Sequence, residues 1–237
     1  RTLLALAATS GDSVFQMDVD TAFLYAPVEE DIYMRQPEGY IVGNPKTVLK
    51  LKKSLYGLKQ SPRNWNLTLH NWLVADGFVQ STADAGLYTF ADKCLLAIYV
   101  DDIIYSVTHD SWKDEFKARF EIDFKIKDLG EVSWVLGMGV TRDRATGTIT
   151  LNQSVYIQSL LVRFNMTDCK PFSSPSLVTP FPESPLCSED TPYQCLVGSL
   201  LYASVCTRPD IAEAVGRLTR FMAAPTEAHW TAGKRVL

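Results

Sequence analysis

Tyr99-Val100-Asp101-Asp102 stands between two apolar runs, Cys-Leu-Leu-Ala-Ile at 94–98 and Ile-Ile-Tyr-Ser-Val at 103–107. Runs of this length and composition on either side of two acids read as strands meeting at a tight hairpin tip. Turns favour Asp for local hydrogen bonding alone, so the acid pair by itself decides little. Asp18 adds weight. It ends another strand-like run, Val14-Phe15-Gln16-Met17-Asp18, and Phe23 follows five residues later. Two carboxylates held rigidly at one end of a sheet, joined by a third, can bind a pair of divalent cations.

At 237 residues the chain can bury a good core in one or two domains. Its apolar content of 46% is that of a soluble globular protein. It holds no run of eighteen apolar residues that would span a membrane. Arg1-Thr2-Leu3-Leu4-Ala5-Leu6-Ala7-Ala8 imitates a signal peptide, but the apolar run is too short and no Met starts it. It reads as a core helix whose partner lies elsewhere, with Leu3, Leu4 and Leu6 left uncovered. Five cysteines without Cys-x-x-Cys spacing point to reduced thiols, and His70, His109 and His229 form no metal pattern.

A net charge of −4 argues against a strongly basic nucleic-acid binder. The average hides a local asymmetry. Between Glu38 and Asp76 no acid occurs, while Lys46, Lys50, Lys52, Lys53, Lys59 and Arg63 all fall there. Such a stripe can follow a phosphate backbone, or it can simply be a solvated face.

Along the chain, residues 1–9 read as helix and 14–18 as strand. Residues 24–66 mix short strands and loops, and a helix from Pro62 carries Trp65, Leu69, Trp72 and Leu73. Asp110 is expected to cap a helix bearing Trp112, Phe116 and Phe120, with Lys113, Lys117 and Arg119 on its wetter side. Residues 132–140 and 147–151 read as a second hairpin. A short amphipathic helix holds Tyr156, Ile157, Leu160, Leu161 and Phe164. Residues 171–192 contain six of the twelve prolines and read as loop. Thr191-Pro192 is a cap-plus-first-turn pair ahead of a helix with Leu196 and Leu200. Pro209-Asp210 is expected to open the last clear helix, carrying Ile211, Ala214, Val215, Leu218, Phe221 and Met222. Arg217, Arg220, Lys234 and Arg235 are left to face either a phosphate backbone or water.

The motifs stand in a telling order. They are Asp18-Val19-Asp20-Thr21-Ala22-Phe23-Leu24, then Ile32-Tyr33-Met34-Arg35-Gln36-Pro37-Glu38-Gly39-Tyr40, then Ser54-Leu55-Tyr56-Gly57-Leu58-Lys59-Gln60-Ser61-Pro62-Arg63. Tyr99-Val100-Asp101-Asp102, Asp128-Leu129-Gly130, Leu136-Gly137-Met138, Gly198-Ser199-Leu200-Leu201-Tyr202 and Thr207-Arg208-Pro209-Asp210-Ile211-Ala212 follow. Over almost its whole length the chain resembles the reverse transcriptase of copia-type LTR retrotransposons. One departure is that Tyr25-Ala26-Pro27 replaces the Asn-Gly-Asp turn usual after the first acid.

The resemblance implies an α+β fold. A reverse-transcriptase-like palm, an antiparallel sheet with helices on one face, would carry partial fingers (about 24–66) and fill residues 1–152. A mostly helical thumb and the start of a connection would fill 153–237. It implies an RNA-directed DNA polymerase acting on an RNA or DNA template with a primer and on dNTPs, with two Mg²⁺ ions that Mn²⁺ could replace. Asp18, Asp101 and Asp102 would be catalytic, and with Val19 would hold the metals. Asp20 points away and is set aside. Phe23, Tyr56, Gly57 and Tyr99 would meet the incoming nucleotide, Phe23 beneath its sugar. Lys52, Lys53, Lys59, Arg63, Leu136, Gly137, Met138 and Gly198 would meet nucleic acid.

By the same resemblance, fingers strands and a ribonuclease H domain of a parent polyprotein would flank the chain. The chain alone would then polymerise poorly. The location would be cytoplasmic, in the parent element's virus-like particle, or nuclear, and neither secreted nor membrane-bound. The alternatives are a catalytically silent remnant of a decayed element and a nucleic-acid-binding module.

Overall fold

A computed structural model describes residues 1–176 and 180–237. In chain order the elements are α1 (Thr2–Ser10), β1 (Ser13–Val19), β2 (Tyr33–Arg35), β3 (Val48–Lys50) and α2 (Ser61–Ala75). Then come β4 (Val79–Gln80), β5 (Leu87–Phe90), β6 (Cys94–Tyr99), β7 (Asp102–Val107), α3 (Asp110–Phe120) and β8 (Ile126–Glu131). β9 (Trp134–Val135), β10 (Met138–Asp143), β11 (Thr148–Asn152), α4 (Ser154–Arg163), α5 (Tyr193–Cys206), α6 (Ala212–Thr219) and α7 (Glu227–Val236) follow. Single 3₁₀ turns cover Ala22–Tyr25 and Pro209–Ile211. The fold is α+β with antiparallel sheets. The chain divides into two compact units, one of Arg1–Val132 with Arg142–Ile149 and one of Ser133–Thr141 with Thr150–Leu237. Among the described residues no helix is long and apolar enough to cross a membrane.

The first unit is built on a six-stranded sheet in the order β4-β5-β6-β7-β1-β8. Strand alternation sends Met17 and Val19, Leu96, and Ile103, Tyr105 and Val107 to one face. There they join Trp65, Leu69 and Leu73 of α2 and Trp112, Phe116 and Phe120 of α3 in one buried core. The opposite face carries Val14, Gln16 and Asp18 of β1 and Asp102, Ile104 and Ser106 of β7. The expectation of helices on one face only is incomplete, because α1 covers part of this second face. Its Leu3 and Ala7 pack with Val14, Leu95, Ala97 and Ile104. Leu3 is therefore buried, and only Leu6 is strongly exposed (54%). Arg142 reaches the end of α1, donating to the Asp12 carbonyl. α1 thus shields the Ser13–Val107 end of the β1–β7 pair and leaves the Asp18–Asp102 end open.

α3 corrects one expectation and fills out another. Its N-cap is His109, with Asp110 inside the first turn and no side-chain cap. Lys117 and Arg119 are not simply solvated, since Lys117 pairs with Asp128 and Arg119 holds Asp76 in two hydrogen bonds of 2.8 and 3.0 Å. β2 and β3 form a separate two-stranded ribbon. Gln36 organises its loop, donating to the carbonyls of Asn44 and Thr47 and accepting from the Val42 amide.

In the second unit α5 is the central helix. Leu196, Leu200 and Ala203 are buried with Leu160 of α4 and Val215 and Leu218 of α6. Pro192 is the N-cap residue of α5, one position later than the expected Thr191 cap. The helix expected from Pro209 ends at Thr219, before Phe221 and Met222. α7 lies beyond it and went unrecognised. Thr226 and His229 form its capping box, with His229 stacked on Phe221 at 3.8 Å. The loop of 171–192 has no helix or strand among its described residues, and 177–179 lie outside them.

Candidate active site

β1 and β7 pair antiparallel in a register that sets Asp18 opposite Asp102. Directly opposed residues put their side chains on the same face, with Cβ atoms roughly 5 Å apart. Asp101 occupies the turn before β7, and its carbonyl accepts from the Val19 amide at 3.1 Å. Val19, a buried aliphatic residue, can offer a cation only its main-chain oxygen. The hairpin closes on the Tyr99–Asp102 pair, and Val100, the first of its two central residues, has a φ of 58°. A β-branched residue at positive φ is strained. The Trp65 indole donates to the Val100 carbonyl at 2.7 Å and holds the turn.

The three carboxylates feel one another. Partial burial, then the charges of Asp101, Asp102 and Asp20, lift the Asp18 carboxyl above its ordinary range, against a pull from Lys127. Gln16, buried on the same face, donates to Asp102 at 3.2 Å. Asp20 is engaged by Lys125 at 2.7 Å. Among the described residues no group of three or more His, Cys, Asp or Glu side chains is drawn together as a ready cage for a metal ion. The donor set is nonetheless all hard oxygen, and Asp18 stands under the repulsion of its acidic neighbours. Mg²⁺ typically takes one or two carboxylates and keeps waters or substrate phosphates for the rest of its shell. The residues fit a divalent cation on chemistry.

Beside the carboxylates, Phe23 and Tyr56 meet with ring centroids 4.5 Å apart. Phe23 is 8% exposed and Tyr56 59% exposed, so one ring is core and the other is surface. Burial, then the charges of Asp101 and Asp18, raise the Tyr56 hydroxyl, which places that side chain within electrostatic reach of the acids. Gly57 has a φ of 94°, a conformation that favours glycine. Tyr99 is 61% exposed on the face that carries Asp102. Lys52, Lys53, Lys59 and Arg63 are all exposed, on the approach to α2 and in its first turn. In the second unit, Leu136 and Gly137 form the turn between β9 and β10, Met138 begins β10, and Gly198 lies on the exposed side of α5.

Residues 1–178 match the family model for reverse transcriptase (RNA-dependent DNA polymerase). The chain belongs to the reverse transcriptase family. It is 40% identical along its whole length to the retrovirus-related Pol polyprotein from transposon TNT 1-94 of Nicotiana tabacum, covering 19% of that protein. It is 38% identical along its whole length to the corresponding polyprotein from transposon RE1 of Arabidopsis thaliana, covering 16% of it. A putative transposon Ty5-1 protein of Saccharomyces cerevisiae is 36% identical over 93% of this chain and 74% of its own length. The chain thus spans under a fifth of the two plant polyproteins.

Three contacts of this reverse transcriptase chain escape a reading of its motifs. Gln16 was visible as a polar residue in an apolar strand, on the Asp18 face by alternation. Lys127, opposite Asp18 on β8, needed a strand that the sequence did not announce. The Trp65–Val100 bond needs the packing of α2 against the hairpin, and no local signal carries it.

Proposed function

We propose that this chain is the core of an RNA-directed DNA polymerase of the copia type, joining dNTPs to a primer on an RNA or DNA template. The observation that carries the reading is the opposition of Asp18 and Asp102 on central strands, with Asp101 in the adjoining turn, in a chain of the reverse transcriptase family. The six-stranded sheet with α2 and α3 would be the palm, the β2–β3 ribbon part of the fingers, and the helices after residue 152 a thumb.

Asp18, Asp101, Asp102 and the Val19 carbonyl would hold two divalent cations, Mg²⁺ or Mn²⁺. When bound, such a pair lowers the pKa of a primer 3′-hydroxyl and neutralises charge on the departing pyrophosphate. The chain's own groups do the rest. Gln16 orients the Asp102 carboxylate. Trp65 fixes the turn that carries Asp101. Phe23 forms a floor beneath the incoming sugar, where a ring would collide with a 2′-hydroxyl, the group that separates RNA from DNA precursors. Tyr56, Gly57 and Tyr99 border the nucleotide. Lys52, Lys53, Lys59 and Arg63 contact the template backbone, a contribution that weakens steeply with salt. Leu136, Gly137, Met138 and Gly198 approach the primer strand.

The test is primer extension on an RNA template by the parent polyprotein that would carry this chain, as wild type and as Asp101→Asn, with circular dichroism to check the fold. An amide cannot supply the negative charge that the cations require, so extension should vanish while the spectrum stays unchanged. Extension by the Asn variant at the wild-type rate would overturn the reading. Salt-sensitive binding of primer–template with no extension by either protein would favour a nucleic-acid-binding module instead.

A further inference from the structure

The β9–β10 turn contains two consecutive residues with positive φ, Leu136 at 46° and Gly137 at 79°. This is the pattern of a I′ hairpin, which favours Asn or Gly at both places. Leucine there is strained, and such strain persists only where the surroundings over-determine the backbone. Beyond the strand pairing of β9 with β10, a hydroxyl constrains it. Tyr202 on α5 donates to the Leu136 carbonyl at 2.6 Å. A Cβ added to Gly137 would stand 3.1 Å from the Tyr202 hydroxyl oxygen, so the turn closes tightly over that hydroxyl.

Tyr202 is itself braced. Its ring meets Tyr156 edge-on, with centroids 5.0 Å apart, and the Tyr156 hydroxyl donates to the Ser199 carbonyl at 3.0 Å, back along α5. Burial, and then Cys206, hold the Tyr202 hydroxyl above its ordinary range, so it stays a donor. The hairpin's main chain is fixed from α5, while Trp134 and Leu136 remain 44% and 40% exposed. Core packing does not require two large apolar side chains to stand outward on a strained, braced turn. A site that must hold a substrate to within a fraction of an ångström does need its supporting contacts locked.

We propose that Tyr202 is a positioning residue for polymerisation, holding the Leu136-Gly137 turn in the shape that seats the primer's 3′-terminal nucleotide. This role rests on the polymerase reading of Asp18, Asp101 and Asp102. Tyr202 touches neither substrate nor cation and acts through the Leu136 carbonyl. Gly137 serves the same end, since any side chain there would push against the hydroxyl that sets the turn.

The experiment uses the 237-residue chain and a primer–template whose primer ends in 4-thiothymidine, a zero-length photocrosslinker. Wild type should crosslink to the peptide that contains residues 133–141. Tyr202→Phe keeps the ring and its contact with Tyr156 and removes the hydroxyl, with its bond to the Leu136 carbonyl and its contacts with Cys206 and Gln153. Crosslinking to that peptide should fall about fivefold, the scale of one such bond, while filter binding of the primer–template stays unchanged. Gly137→Ala should fall in the same way. Equal crosslinking by wild type and Tyr202→Phe overturns the role, as does a lowered melting temperature with an unchanged crosslink. Absence of the crosslink in wild type overturns it too. Failure of the polymerase reading itself shows separately, as extension that survives Asp101→Asn.

Discussion

Asp18 and Asp102 oppose each other across the β1–β7 pair, one strand position from the two-residue turn, Val100-Asp101, in which Val100 is strained. Like charges directly opposed in a sheet weaken it by roughly 0.2–1 kcal/mol. Asp102→Asn should therefore raise the metal-free stability by about that amount, read as a higher urea midpoint with an unchanged slope. The same variant should gain less stability than wild type when Mg²⁺ is added, because stabilisation by a ligand follows its affinity for the folded state. A variant that is less stable without metal would show that Gln16 and Lys127 already neutralise the pair.

Phe23 joins two demands in one ring. It is buried and packs on Tyr56. Phe23→Val should cost about 2 kcal/mol of stability, as a large-to-small core change does, and should admit ribonucleotides by opening space for a 2′-hydroxyl. Paired rNTP and dNTP incorporation assays, with a melting curve, separate the two effects. Lost stability with unchanged sugar discrimination would make Phe23 a core residue alone.

Trp65 should matter beyond its packing. Trp65→Phe keeps an aromatic ring in the core but leaves the Val100 carbonyl without its indole donor. A net loss of about 1 kcal/mol is expected for that bond, measured by denaturant unfolding. Restoration of most of the loss by a second change, Val100→Gly, would show that strain at the positive φ of 58° is part of what the indole holds in place.

The α7 cap should respond to pH. The His229 Nδ1 accepts from the Thr226 amide at 2.9 Å and must be unprotonated to do so. Burial holds this imidazole below its ordinary value. An unfolded chain would protonate it near pH ~6.5, so its contribution is complete above that pH and is lost as the pH falls from there toward the folded value. The urea midpoint should drop between about pH 7.5 and 5.5 in wild type, a window in which His is the usual titrating group. His229→Gln, whose side chain can accept the same bond, should drop less. Equal drops would exonerate the cap.

The carboxylate hairpin was legible because three physical signals agree there. These are the strand-like run that ends at Asp18, the paired runs of β6 and β7, and acids placed only at their ends. β8 was not legible. Ile126-Lys127-Asp128-Leu129-Gly130-Glu131 lacks an apolar period, and its pairing with β1 breaks register between Gln16 and Met17, so no simple alternation survives. α7 hid for a related reason, since its capping box relies on His229 where Glu or Gln is the usual signal. Lys117 and Arg119 look like solvated charges in one dimension. Their partners, Asp128 and Asp76, become neighbours only once the chain has folded.

The sheet order β4-β5-β6-β7-β1-β8 gives the acids unequal company in time as well as in space. β7 and β1 are interior strands, paired on both sides, so their amides can exchange with solvent only when much of the sheet opens. The β2–β3 ribbon is a two-stranded sheet among the described residues and carries exposed Val48 and Leu49, and two strands alone are marginally stable. Amides of Met17 and Ile103 should therefore be among the last to take up deuterium, and those of Tyr33 and Lys50 among the first. The part that would hold cations lies in slow-opening structure, and the part nearest the basic stripe opens on its own clock.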